Sequence, residues 1–324
     1  MRSESEVVDG NDGSRTAVTS DNALMKTNNA NQSVRRPLRN LVHLLKAVAS
    51  GEEDDDIELI HQLRTESRRA DVALRLFADR LPRRELDWVR RRVGQIRAKS
   101  GPVRDMDVIM PLVMGLGDPF SAQAKHWLVE QIEILRTNEL VSLKQYCQRL
   151  FDRGFIGRCR RLSRCGSGQN LDANLGFLKS CSKFVSRLAT KYFQKVDLLK
   201  TDERQLHKVR ILGRRLRYTL ELLPDLGIEF TPESDADVAW VCRRLSKIQE
   251  TLGQVHDEMS ALRLMKERLA DASEASVTES MRQLIDSLET STAGNAKTAI
   301  PELMDMVNQL IPCFEDVVFA PPHC

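Results

Sequence analysis

Three arginines and a histidine fall on one side of a single predicted helix. In Leu206-His207-Lys208-Val209-Arg210-Ile211-Leu212-Gly213-Arg214-Arg215-Leu216-Arg217-Tyr218, the residues His207, Arg210, Arg214 and Arg217 stand at offsets 0, 3, 7 and 10. At 100° per residue they share a stripe about 80° wide. Arg215 sits at its edge. Val209, Leu212, Leu216 and Leu220 form a separate apolar stripe, as an amphipathic core helix requires. Like charges at i,i+3 and i,i+4 each oppose the helix by about 0.2–0.5 kcal/mol, and no acid interleaves before Glu221. A face of this kind suits an external anion, because guanidinium offers a planar fork of donors that matches phosphate or carboxylate.

The same pattern occurs twice. His61, Arg64, Arg68 and Arg69 match His207, Arg210, Arg214 and Arg215 at a constant offset of 146. Trp88, Arg91, Arg92, Ile96, Gly101, Val103 and Asp105 match Trp240, Arg243, Arg244, Ile248, Gly253, Val255 and Asp257 at an offset of 152. A basic residue precedes the aspartate in both copies, Arg104 in the first and His256 in the second. Two gap-free blocks point to a duplicated helical unit. Such units pack about a pseudo-twofold axis, which sets the two basic stripes across a shared groove.

Neither His61 nor His207 has a second His, Cys or paired carboxylate at i+3 or i+4, so both read as anion contacts and no metal site is expected. Asp105 and Asp257 read as caps or as residues that orient a neighbouring arginine. Trp88 and Trp240 read as core anchors. Secondary candidates for the anion site are Arg39, Arg75, Arg97, Lys183, Arg187 and His256. Of these, Arg39 shares a helix face with His43 and Lys46, and Lys183 and Arg187 lie one turn apart. The run from Arg158 to Arg164 and the cluster Arg90 to Arg92 read as charged surface.

These residues must be positioned by helices, because no convincing alternating strand occurs. Residues 1–33 read as a disordered tail and 316–324 as a C-terminal tail. Helices are predicted over about 33–49, 55–80, 82–99, 103–113 and 121–151 in a first half (34–165). A second half (171–315) follows the linker Gly166-Ser167-Gly168, with helices over about 171–200, 206–223, 231–252, 256–270, 275–290 and 296–311. Gly101-Pro102 and Gly253 are read as breaks, and Thr231-Pro232-Glu233 as a helix start. The fold class is all-α.

The chain of 324 residues can bury a large core, and its net charge of +3 conceals segregation. Residues 57–270 hold 40 Lys+Arg against 27 Asp+Glu, while the flanks hold 9 against 19. Arginines outnumber lysines 35 to 14. A basic middle rich in arginine suits a polyanion. Seven cysteines without CxxC spacing read as reduced thiols, and no 18-residue apolar stretch or secretory leader is visible, so a cytoplasmic protein is expected. P-loop, zincin and nucleophile-elbow motifs are absent from the sequence.

The H-x-x-R-x-x-x-R-R-x-R pattern of 207–217, with Gly253-Gln254-Val255-His256-Asp257 and Gly101-Pro102-Val103-Arg104-Asp105, resembles the CHAD family of histidine-containing α-helical domains. The resemblance spans roughly 35–315. It implies two four-helix bundles related by a pseudo-twofold, with a basic central groove or pore that binds inorganic polyphosphate without catalysis or cofactor. Carried over by position, the ligand residues are His61, Arg64, Arg68, Arg69, Arg104, His207, Arg210, Arg214, Arg215, Arg217 and Lys247. One departure is that Asp71 replaces the last arginine of the first motif. A weaker first half is therefore expected, in part rescued by Arg75. Many relatives carry a triphosphate tunnel domain with E-x-E-x-K. Here Glu4-Ser5-Glu6 is followed by Val8 in place of lysine, so a stand-alone binding module is expected, in the cytoplasm or at polyphosphate granules. Nucleic acid is the less favoured polyanion, because the basic stripes contain no aromatic for base stacking. A phosphate-ester or anhydride hydrolase accessory role is a further alternative.

Overall fold

The computed structural model describes residues 15–51, 57–115, 122–165, 171–200, 203–226, 229–231, 237–272, 274–315 and 318–320. Ten α-helices are described: α1 (Arg15–Ser50), α2 (Ile57–Leu76), α3 (Arg83–Met114), α4 (Ala122–Asp152), α5 (Phe155–Arg164), α6 (Leu171–Asp197), α7 (Leu206–Leu222), α8 (Val238–Leu269), α9 (Ala275–Asn308) and α10 (Pro312–Glu315). The all-α class stands. A two-stranded antiparallel ribbon, β1 (Glu229–Thr231) with β2 (Val318–Ala320), is the addition, and it ties part of the expected C-terminal tail to the segment before α8. Residues 1–14, the acidic run 52–56 and the linker at 166–168 lie outside the described residues.

Several boundaries differ from the sequence reading. α1 starts at Arg15, so backbone assigned to a tail is helical. Thr231 ends a strand, and α8 begins at Val238 under an Asp237 cap that accepts a 2.5 Å bond from the Trp240 amide. Two breaks are absent. α3 runs unbroken through Gly101 and Pro102, α8 through Gly253, and α9 replaces two shorter helices. Proline remains in the interior of α1, α3 and α9, at Pro37, Pro102, Pro111 and Pro301. Tertiary packing outweighs local breakers in these long helices.

Like helices of the two halves touch: α2 packs on α7, α3 on α8 and α4 on α9. These are the contacts that a pseudo-twofold pairing of units requires. The main core joins α1 to α8, with Leu41, Leu63, Val89, Leu143, Val209 and Leu216 each fully buried. Each such aliphatic side chain contributes roughly 1.5–3 kcal/mol on burial. A second core does not respect the boundary between halves. Met106, Ile109 and Val113 of α3 and Leu128 and Ile132 of α4 pack with Ala261, Leu264 and Met265 of α8 and Met281 and Ile285 of α9. The far ends of two helices from each half thus make one shared core, in addition to the packing within each half, where α1 to α4 touch in turn and α6 to α9 do the same. Trp88 and Trp240 sit half-buried at the edge of the main core, each under an arginine, Arg92 at 4.9 Å and Arg244 at 5.5 Å.

Candidate functional site: a basic cavity between the repeated helices

The apolar stripe of α7 faces the core, with Val209, Leu216 and Leu220 fully buried. That orientation turns the arginine stripe toward α2, whose own stripe meets it. Arg64, Arg68, Arg210, Arg214 and Arg215 converge on a cavity of about 520 Å³ that is also lined by Asp71, Val72, Arg97, Asp105, His207, Ile211, Tyr218, His256, Ser260 and Arg263. Seven guanidiniums meet two carboxylates there, an excess of five positive charges before the histidines are counted.

The repeat is visible in the contacts. Arg64 Nη1 lies against Gly101, where an added Cβ would stand 3.2 Å away, and Arg210 Nη2 lies against Gly253, at 3.7 Å. These glycines let a guanidinium from the neighbouring helix press onto the helix backbone. Arg64 Nη1 also donates to the Arg97 carbonyl at 3.0 Å. His207 and His256 stand with ring centroids 5.5 Å apart. In the first copy, His61 feels Arg104 in the same relation.

Electrostatics record the crowding. Arg214 is pushed down to about 8, first by burial, then by Arg68 and Arg210. Arg68 is pushed down to about 10 by burial and Arg64, against a hydrogen bond that it donates to the Tyr218 phenol. Burial likewise lowers Arg64, Arg210 and Arg215. His256 falls to about 4 through burial, then Arg210 and His207. Burial raises Asp105 and Asp257 even though Arg64 stands by the first and Arg210 by both. The Nε of Arg210 is buried with no hydrogen-bond partner among the described residues. A site that holds its cations this close, under this much desolvation, is complementary to a bound polyanion.

Of the expected ligands, Arg64, Arg68, His207, Arg210, Arg214 and Arg215 line the cavity, as do the secondary candidates Arg97 and His256. Arg104 lies beside it, close enough to lower His61 and Arg64. The others are placed elsewhere. His61 and Arg69 line a separate cavity of about 440 Å³ between α1 and α2, with Arg69 paired to Glu66 at 2.8 Å and to Glu221 at 3.8 Å. Arg217 pairs with Glu221 at 2.8 Å and stacks 4.7 Å over Tyr218. Lys247 is exposed and sits 3.8 Å from Glu250. It is nine residues from His256, about half a turn round the helix, and so on the opposite face of α8. Arg39 lines a cavity on α1, and Lys183 and Arg187 are exposed on α6. Arg75 does not line the cavity and holds Asp71 at 3.0 Å.

Asp71 is itself a hub. It is 4% exposed and takes Arg97 at 3.3 Å and Arg90 at 3.7 Å as well as Arg75. Burial alone would raise its carboxyl, but Arg97, Arg75 and Arg90 outweigh burial and hold it below the usual range. Arg90 is therefore an ion-pair partner and not merely charged surface. Residues missed in the sequence include Arg263, Ser260 and Tyr218. The first two were accessible, because His256, Ser260 and Arg263 stand at offsets 0, 4 and 7 on one helix face. Tyr218 corrects the claim that the basic stripes lack an aromatic, although it is 4% exposed with Arg69 at 5.7 Å and Arg217 at 4.7 Å over its ring.

The fold and site define an all-α domain with a half-open, arginine-lined cavity between two repeated helices. The family model described as the CHAD domain matches residues 38–266. The chain belongs to the CHAD family. The crystal structure of the CHAD domain from the plant Ricinus communis superposes with a TM-score of 0.64 at 18% identity, covering 91% of this chain and 94% of that one. PptA from Streptomyces chartreusis gives a TM-score of 0.60 at 14% identity, covering 86% and 99%. No curated protein matches the sequence. Among the described residues no helix is long and apolar enough to cross a membrane.

Proposed function

We propose that the cavity between α2 and α7 binds inorganic polyphosphate without catalysing its breakdown. The observation that carries this reading is the meeting of seven arginines with two carboxylates in one desolvated cavity. A phosphate chain offers repeated tetrahedral oxyanions and no base or apolar body, so convergent guanidiniums suffice to hold it. Membership of the CHAD family supports the same ligand. Asp105 and Asp257 serve as orienting partners of Arg64 and Arg210 in this reading, with no role in proton transfer.

RNA is the competing polyanion. Single-strand recognition draws on aromatic faces open to bases, and the ring of Tyr218 lies under two guanidiniums. The test titrates polyphosphate and single-stranded RNA against each other at matched ionic strength. Polyphosphate is expected to displace RNA at a lower concentration of phosphate groups. Equal competition per phosphate would overturn the preference, and orthophosphate release abolished by His207→Ala would replace binding by hydrolysis.

A further inference from the structure

A second basic groove lies on the other side of the first half. α5 packs along α1, and between them is a cavity of about 500 Å³ whose walls are Arg35, Arg39 and Lys46 from α1 and Arg160 and Arg164 from α5. No carboxylate is among the described residues that line it, and it shares no residue with the cavity between α2 and α7. Its floor is the seam where Leu38 and Cys159 are buried, so the cationic side chains run their stems over apolar surface and gather their charged ends at the rim.

Neighbouring cations on the same two helices are neutralised. Arg36 of α1 reaches Asp225 at 4.0 Å, and Arg158 and Arg161 of α5 reach Glu85 at 2.8 and 3.5 Å. Arg35, Arg39, Lys46 and Arg160 form no ion pair among the described residues. An ordinary solvated surface would mix its charges. Here Arg35, Arg39 and Lys46 of α1 face Arg160 of α5 across the groove, away from the arginines of the same helices that reach Asp225 and Glu85.

We infer that the α1–α5 groove is a second anion-binding site that takes a phosphate-rich ligand, separate from the central cavity. The ligand class rests on the reading of the central cavity, while the groove rests on its own residues. One chemistry has two sources: a separate short oligophosphate, or the far end of a long polyphosphate chain already held in the centre. His43 lines both this groove and the α1–α2 cavity that contains His61.

The experiment is calorimetric titration of the full chain with tripolyphosphate and, separately, with a long polyphosphate. The variants are Arg39→Glu with Arg160→Glu for the groove, Arg68→Glu with Arg214→Glu for the centre, and Arg282→Glu with Lys297→Glu on α9 as a charge-matched control. Two classes of tripolyphosphate site are expected in the unaltered chain, and the groove variant loses one of them by at least about tenfold in affinity. If long polyphosphate also loses affinity in the groove variant, the groove takes the far end of a chain; if not, it takes separate short ligands. A groove variant that matches the unaltered chain, or that falls only as far as the α9 control, overturns the second site and leaves the central reading standing. Loss confined to the groove variant, with the centre variant unchanged, overturns the central reading instead. Circular dichroism of each variant separates lost binding from lost folding.

Discussion

Asp71 pairs with Arg75 at 3.0 Å, and at the equivalent place in the second copy the same i,i+4 bridge recurs with its polarity reversed, Arg217 to Glu221 at 2.8 Å. An acid N-terminal to its cation is the better order on a helix, and the Asp71 bridge is the one turned into the cavity. Asp71 therefore takes positive charge from Arg97 and Arg75 that a ligand could otherwise use.

Asp71→Asn is expected to tighten polyphosphate binding several-fold, an effect of about 1 kcal/mol. It should destabilise the free protein by about 3 kcal/mol, because three guanidiniums lose their buried counter-charge. Titration with polyphosphate and denaturant unfolding check both signs. Since the folded-state carboxyl is held below 3.8, its contribution to stability is present above that value and is lost as pH falls below it. Asn should abolish this acid-sensitive part.

The two helix-interior glycines should respond with opposite signs. A Cβ at Gly101 meets Arg64 Nη1 at 3.2 Å, and residue 101 precedes Pro102, where a side chain disfavours helical backbone. Gly101→Ala is expected to lower stability and to weaken binding by displacing Arg64. A Cβ at Gly253 meets Arg210 Nη2 at an ordinary 3.7 Å. Gly253→Ala should therefore gain up to about 1 kcal/mol of helix stability with affinity unchanged. Thermal melts and titrations of the pair settle it, and two variants of equal effect would contradict the account of the packing.

His256 makes the cavity pH-sensitive. In the free fold it is held down to about 4, whereas in the unfolded chain a histidine titrates near 6.5. As pH falls from about 6.5 towards 4, the unfolded state takes the proton first, and the free protein loses about 1–2 kcal/mol once solvent screening is allowed for. A bound polyanion raises the histidine, so affinity should climb over the same interval. His256→Asn is expected to flatten both trends when melts and titrations at pH 7 and pH 5 are compared. Parallel pH profiles for the two proteins would remove His256 from the site.

Much of this was legible in the sequence, because helical periodicity and an internal repeat are both local patterns. The convergence of Arg64 and Arg68 with Arg210 and Arg214 followed from reading two stripes as partners. What stayed hidden depended on tertiary contact. Gly101-Pro102 carries a local signal for a break, yet Arg64 pressing on the glycine gives that residue type a packing reason inside a helix. Arg69 and Arg217 sat in the basic pattern, but Glu66 and Glu221 draw them away from the cavity. The second core, shared between α3–α4 and α8–α9, has no sequence signature beyond apolar faces that could have packed within one half.

The central claim is that Arg214 is held in an unfavourable site for the sake of an anion. It is depressed to about 8 by burial and by Arg68 and Arg210. The most direct measurement is the melting temperature of the unaltered chain and of Arg214→Gln, each with and without polyphosphate. Removing the crowded charge is expected to stabilise the free protein by about 1–2 kcal/mol, while the upward shift that polyphosphate gives the unaltered chain largely disappears. A variant that melts lower when free, yet shifts as far with polyphosphate, would contradict it.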